Sequence, residues 1–282
     1  MITCNLIGGL GNQLFQIFTT ISYAINTRQK FYFINIDKLE SSQTIRPTYW
    51  NNFLAKLKIF TTNDFPKMVL VREKSFEYTP INLLNYQGQN ICLCGYFQSY
   101  KYFENNFNII CRMINSREIK QNIILESNLT QNYLDNTISI HFRLGDYKKI
   151  QQHHPIMTIK YYINAISYIQ TKYHYIQNIL YFCEENIDDI EDVNNTILKL
   201  QIEFPHITFI RASIDLSDWK QMILMSCCKH NVIANSSFSW WGAYLNTNPN
   251  KIVCYPSIWF GDATQHNTVD LFPKEWNKIN AK

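Results

Sequence analysis

Strand-sized apolar runs alternate with helix-spaced apolar patterns along most of this chain, and that alternation points to an α/β fold. Residues 2–7 read as a first strand, followed by a glycine-rich turn and a helix over about 12–26. In that helix Leu14, Phe15, Phe18, Ile21, Ser22 and Ile25 recur at helical spacing, so one face packs on a sheet. Residues 31–36 and 90–97 read as further strands and 102–114 as a helix. A second series begins near residue 137, with strands expected at 138–142, 179–183, 207–211, 231–234 and, last, 251–255. Helices over about 159–173, 187–203, 216–228 and 239–245 separate them. Residues 40–90 are polar and irregular. The polar segment 127–136 reads as a linker, dividing the chain into domains 1–136 and 137–282.

Composition narrows the function classes. The 282 residues suffice for two domains of ordinary size, and 46% hydrophobic against 17% charged residues excludes a largely disordered chain. A net charge of +4 with no Lys/Arg block argues against tracking a nucleic-acid backbone, yet suits a small anionic ligand such as a nucleotide. No apolar run approaches the ~20 residues that span a bilayer, so no integral membrane segment is expected. The apolar start is too short for a secretory signal and lacks a basic lead. Eight cysteines without CxxC spacing read as free thiols of a reducing compartment. Sequons occur at Asn128, Asn194 and Asn235. The third falls in a candidate ligand segment where a glycan would be harmful, and a cytoplasmic location is expected.

Three segments could carry chemistry. Gly8-Gly9-Leu10-Gly11-Asn12-Gln13 joins a strand to a helix, where glycines let a ligand approach and helix-start N–H groups attract anions. Leu14 stands where a dinucleotide fingerprint wants its third glycine, and no Gly-Lys-Ser/Thr occurs, so neither an NAD site nor a P-loop is indicated. A plain tight turn at positive φ is the structural alternative. Asn12 and Gln13 add amides suited to hydroxyls or phosphate oxygens.

The second segment is His141-Phe142-Arg143-Leu144-Gly145-Asp146-Tyr147, at the end of an apolar strand. Alternation puts His141 and Arg143 on one face, and Gly145 permits a sharp exit that returns Asp146 to the same mouth. Arg is scarce here, 7 against 19 Lys, so this one reads as a diphosphate clamp or as half of a structural Arg–Asp bridge. In the third, Asn235-Ser236-Ser237-Phe238-Ser239-Trp240-Trp241-Gly242, small polar residues open a helix. They can bind phosphate, cap the helix, or do both. No Asp-x-Asp, zinc-pair spacing or Gly-x-Ser-x-Gly is present, so neither a metal centre nor a serine hydrolase is expected.

Taken in order, these segments resemble glycosyltransferase family 11, the α-1,2-fucosyltransferases. The resemblance runs through Gly8 to Gln16, Gly95-Tyr96-Phe97-Gln98-Ser99 with Tyr102-Phe103, His141 to Tyr147, Lys229 to Ala243, Trp259-Phe260 and Pro273-Lys274-Glu275-Trp276. It implies a GT-B fold, two Rossmann-like domains facing across a cleft. The N-terminal domain would lie on the acceptor side, and the C-terminal domain would bind GDP. It also implies GDP-β-L-fucose as donor, a glycan acceptor, inversion to an α-1,2 linkage, and no metal or separate cofactor. Carried over, Arg143 would hold the β-phosphate and His141 would lie against nucleoside or diphosphate. Ser236 and Ser237, beside Asn235, would bind phosphate. Asn12, with Gly9, Gly11 and Gln13, would reach the fucose–diphosphate region. Where many members have Asp-Asp, this chain has Glu184-Glu185, so Glu184 is the carboxylate for guanine; Cys94 stands where an acidic residue is common. Asp146 is either the general base or the anchor of Arg143, with His153 or His154 the alternative bases. Two other functions fit the same residues: transfer of another nucleotide-linked deoxysugar, and a glycan- or nucleotide-binding module without catalysis.

Overall fold

The computed structural model describes residues 1–40 and 45–282; of the irregular stretch 40–90, residues 41–44 lie outside the described residues. The chain forms two compact units, Met1–Ile119 with His266–Pro273, and Lys120–Gln265 with Lys274–Lys282.

The first unit is built on a three-stranded parallel sheet of β1 (Ile2–Cys4), β2 (Val69–Arg72) and β3 (Ile91–Cys94), in the order β1-β3-β2. Helix α1 (Leu10–Thr27) follows β1. Leu14, Phe15, Phe18 and Ile21 are wholly buried, and so are Gln16, Thr19 and Thr20 on the other faces, so this helix is enclosed by its unit. Thr20 and Thr27 hydroxyls return to the carbonyls one turn back, and the helix stops at Arg28 in the left-handed region. Two small two-stranded pairings, Phe33–Ile34 with Thr61–Thr62 and Lys38–Leu39 with Arg46–Pro47, decorate the unit. The helix expected over 102–114 is instead two 3-10 turns leading into α2 (Phe107–Met113).

The second unit begins with α3 (Ser116–Glu126) and α4 (Gln131–Leu134). Its sheet contains β4 (Thr137–His141), β5 (Asn178–Phe182), β6 (Thr208–Arg211), β7 (His230–Val232), β8 (Val253–Pro256) and β9 (Asn277–Ile279). All pair in parallel, in the order β6-β5-β4-β7-β8-β9. Helices α5 (Ile159–Lys172), α6 (Ile187–Glu203), α7 (Asp218–Met225) and α8 (Ser237–Tyr244) alternate with the strands. Every residue of β4 is buried, as expected of a central strand covered on both faces. The Tyr161 hydroxyl, from α5, donates to the carbonyls of Ile233 and Cys254 just past β7 and within β8, tying the helix layer to the sheet.

Three sequence expectations need correction. The division falls at 119/120 rather than 136, because 127–136 is no linker. Thr130 caps α4, Leu134 is fully buried, and the Leu134 carbonyl accepts from Lys229 N–H. The strand over 251–255 is not the last, since β9 pairs beside it. Strand β2 lies inside the stretch that showed no pattern.

Candidate functional site

The strand order of the second unit reverses between β4 and β7: β5 and β6 lie to one side, β8 and β9 to the other. Connections leaving the carboxyl ends of two such strands diverge and leave a crevice where ligands of open α/β sheets bind. The two C-terminal candidate segments leave from these two strands.

His141 closes β4. It is 6% exposed, its carbonyl accepts from the Tyr162 hydroxyl at 3.1 Å, and its ring lies 5.4 Å from that of Phe238. Burial, and then the nearby Arg143 charge, push its pKa down to about 3, so the imidazole is neutral at physiological pH. Its Nδ1 is buried with no partner among the described residues.

Two residues on, Arg143 lies over the Tyr147 ring at 4.7 Å, with Nη2 2.5 Å from Asp146 Oδ1 and Nη1 paired with Glu184. The pairing of β5 with β4, which sets Phe182 opposite His141, delivers Glu184 to this spot. Glu184 is thus a counter-ion of Arg143 in the structure. Gly145 turns the chain at φ 46°, a left-handed conformation that favours glycine, with the Glu184 carboxyl against its Cα.

From the β7 side, Ser236 caps α8 through Oγ, which accepts from Phe238 N–H at 3.3 Å. Ser237 stands in the first turn, half-buried, with its hydroxyl not taken up by a hydrogen bond to a described residue. Asn235 takes a different place from the one expected. It is 1% exposed, and its amide donates to the carbonyls of Pro155 at 2.9 Å and Trp259 at 3.1 Å, while Tyr147 Oη donates to its own carbonyl. Its amide hydrogens thus fasten two neighbouring loops.

In the first unit the positive φ sits at Gly8, at 81°, where an added Cβ would meet Asn12 Nδ2 at 2.6 Å. Gly9 occupies the N-cap without a side-chain bond, has open space around its Cα, and Gly11 is buried in the first turn of α1. Gln13 is another displaced expectation: it is 1% exposed, and its amide donates to the carbonyls of Gly8 and Pro47. Asn12 is half-buried and accepts from Gln98 Nε2 at 2.8 Å.

Sequence reasoning missed several supports. Gln16 clamps Ile7 by both its N–H and its carbonyl, at 3.0 and 3.1 Å. Glu73 accepts the N–H groups of Tyr96 and Phe97, the latter at φ 53°, and burial raises its pKa. Asp189 takes the Gly145 N–H. Among the described residues no group of three or more His, Cys, Asp or Glu side chains is placed to hold a metal ion, and no helix is long and apolar enough to cross a membrane. All eight cysteines are free.

Comparison with known proteins agrees with this geometry. The family model described as Glycosyl transferase family 11 matches residues 1–280. The O-antigen biosynthesis glycosyltransferase WbnK of Escherichia coli is 30% identical over 300 residues, 92% of this chain and 95% of that protein. An alpha-1,2-colitosyltransferase, also of Escherichia coli, is 28% identical over 306 residues, 99% of each. Among solved structures, POFUT1 in complex with GDP superposes with a TM-score of 0.52 at 10% identity, covering 90% of this chain and 97% of that chain. The shared fold is of the GT-B type, made of Rossmann-like α/β units.

Proposed function

The chain belongs to glycosyltransferase family 11, and from that premise we propose that it moves L-fucose from GDP-β-L-fucose to O2 of a galactose-type residue of a glycan, with inversion and without a metal. The observation that supports this most is Arg143, a charged fork just past the carboxyl end of β4, where the strand order reverses towards β7. An acceptor oxygen attacks fucose C1 opposite the diphosphate. The C1–O bond breaks with its electron pair leaving on GDP, and the β configuration becomes α. The transition state has oxocarbenium character, and charge grows on the β-phosphate as that bond lengthens. Arg143 meets this charge, aided by Ser236, Ser237 and the first-turn N–H groups of α8. The neutral His141 ring lies against nucleoside or diphosphate without adding a positive charge of its own. Asn12, in the first unit, serves the fucose–diphosphate end of the donor, and the glycine turn gives it room. Acceptor deprotonation lags behind bond breaking and the proton passes to the departing diphosphate, so no strong base is needed and Asp146 acts as the anchor of Arg143.

A panel of nucleotide sugars, assayed for binding and for transfer to galactose-terminated acceptors, tests the reading. Preference for GDP-fucose with α-1,2 product supports it; binding without turnover on any acceptor would leave a binding module instead. A second reading keeps the chemistry and replaces the donor by another nucleotide-linked deoxysugar, one carrying colitose. It is favoured by the end-to-end similarity to the colitosyltransferase, and competition between the two donors separates the readings. EDTA should leave transfer unchanged, and activity lost on chelation and restored by Mg²⁺ or Mn²⁺ would refute the metal-free mechanism. Asp146→Asn should weaken GDP binding and turnover together, because the loosened arginine serves both. Loss of turnover at unchanged GDP affinity would make Asp146 the base instead.

A further inference from the structure

The turn after β4 is gripped by a segment that the chemistry above does not use. Asp189, in the first turn of α6, is 1% exposed, yet it carries a carboxylate. One oxygen accepts the Gly145 N–H at 2.9 Å, and the other lies 2.7 Å from Lys148 Nζ, which also reaches Asp192 at 2.7 Å. These contacts hold the lysine protonated, Asp189 being the larger cause. On the same connection Glu184 lies under Gly145 and pairs with Arg143. The segment from Glu184 to Asp189 is therefore a mould for the turn that carries Arg143, Asp146 and Tyr147. The Asp189–Lys148 pair is a poor source of net stability, because burying the carboxylate offsets much of the attraction and the Lys148 side chain, 32% exposed, is screened by solvent. Its value here is positional: with Gly145 in a left-handed conformation, Asp189 and Lys148 fix the N–H and the cation of the same turn.

We propose that Asp189 is a positioning residue for nucleotide binding, which through Gly145 and Lys148 aims Arg143 at the diphosphate. This rests on the reading that Arg143 binds the diphosphate of GDP. Asp189 is 1% exposed with its oxygens on Gly145 and Lys148, so its removal should erode only the phosphate-dependent share of affinity.

Calorimetric titration with GDP and with guanosine, which lacks phosphates, separates that role from general support of the fold. Asp189→Asn should weaken GDP binding about tenfold while leaving guanosine within twofold, and in an Arg143→Ala background it should cost less than about twofold more, because both act on one contact. Should Asp189→Asn fail to fold, the charge-neutral pair Asp189→Asn with Lys148→Gln carries the same expectations. Unchanged GDP affinity in a folded variant, equal losses for GDP and guanosine, or losses that multiply with Arg143→Ala would each overturn the proposal. A wild-type protein that binds no GDP would instead defeat the functional reading beneath it.

Discussion

The two units each carry a turn leaving a parallel strand, but they are held by different chemistry. After β1 the supports are uncharged amides: Gln13 on the carbonyls of Gly8 and Pro47, Gln16 on both backbone groups of Ile7, and Gln98 on Asn12. After β4 they are charges: Arg143, Asp146 and Glu184 on one side of the turn, Lys148 and Asp189 on the other. Contacts between neutral amides and backbone groups are little screened by salt. A guanidinium resting on two carboxylates is kept aimed and desolvated only in part, and its ion pairs weaken as salt rises. The first turn is therefore held by uncharged contacts, and the second by charges whose guanidinium rests on the protein's own carboxylates.

The largest expected effect falls on the charged turn. Arg143→Ala should cost about 2–4 kcal/mol of transition-state stabilisation, roughly 30- to 1000-fold in kcat/KM. Arg143→Lys should recover little, since a point charge cannot make paired contacts. Near-normal turnover of folded Arg143→Ala would remove the contrast between the turns. The amide-held turn should respond in stability instead. Gln16→Leu leaves the Ile7 N–H and carbonyl without their partner, and should lower stability by about 1–3 kcal/mol in thermal melting. GDP affinity should be intact, and an affinity loss matching that of Arg143→Ala would erase the distinction.

Acid sharpens the comparison from another side. His141 and His230, both in the second unit, have pKa values pushed down to about 3, by burial first and then by Arg143 and Lys229. The first unit's only histidine is His266. Between about pH 6.5 and 3 the unfolded chain binds protons that the folded histidines refuse. Stability is therefore complete above 6.5 and falls by about 1.4 kcal/mol per pH unit for each histidine as pH drops. His230→Asn should flatten the dependence of the melting temperature on pH over this window; an unaltered slope would show that acid acts elsewhere.

Much of the architecture was legible because the central strands of the second unit, β4 and β5, are buried almost throughout and read as apolar runs. The strand expected over 179–183 lies at Asn178–Phe182, and the helix expected over 187–203 at Ile187–Glu203. Strand β2 escaped because three of its four residues, Val69, Leu70 and Arg72, are exposed at the sheet edge, leaving no burial pattern to read. Helix α3 escaped because only Ile123 is buried in a charged sequence. At the site, motif residues announced themselves through type and order, but their tasks did not. Asn235 and Gln13 carry amides equally fit for a ligand or a carbonyl, and only packing assigned them to carbonyls. Asp189 sits in the run Asp188-Asp189-Ile190-Glu191-Asp192, which reads as a solvated helix start until the turn after β4 is laid against it.

The late segment His266–Pro273 returns to the first unit, and the residues beyond it supply the edge strand β9 of the second. Asp270 illustrates the first return: it accepts from Tyr78 N–H and ion-pairs with Lys101, while its carbonyl takes the Ser99 hydroxyl at 2.6 Å. On the ribosome, then, neither unit can be finished in its turn. The earlier one must wait, with the Ser99 and Lys101 region unlatched, until nearly all of the later one has been made. A nascent chain stalled near residue 265 should hold two incomplete bodies rather than one finished and one unfinished, and should be open to protease at both. Emergence of residues 266–282, more than that of the boundary near 119, becomes the step that seals both units.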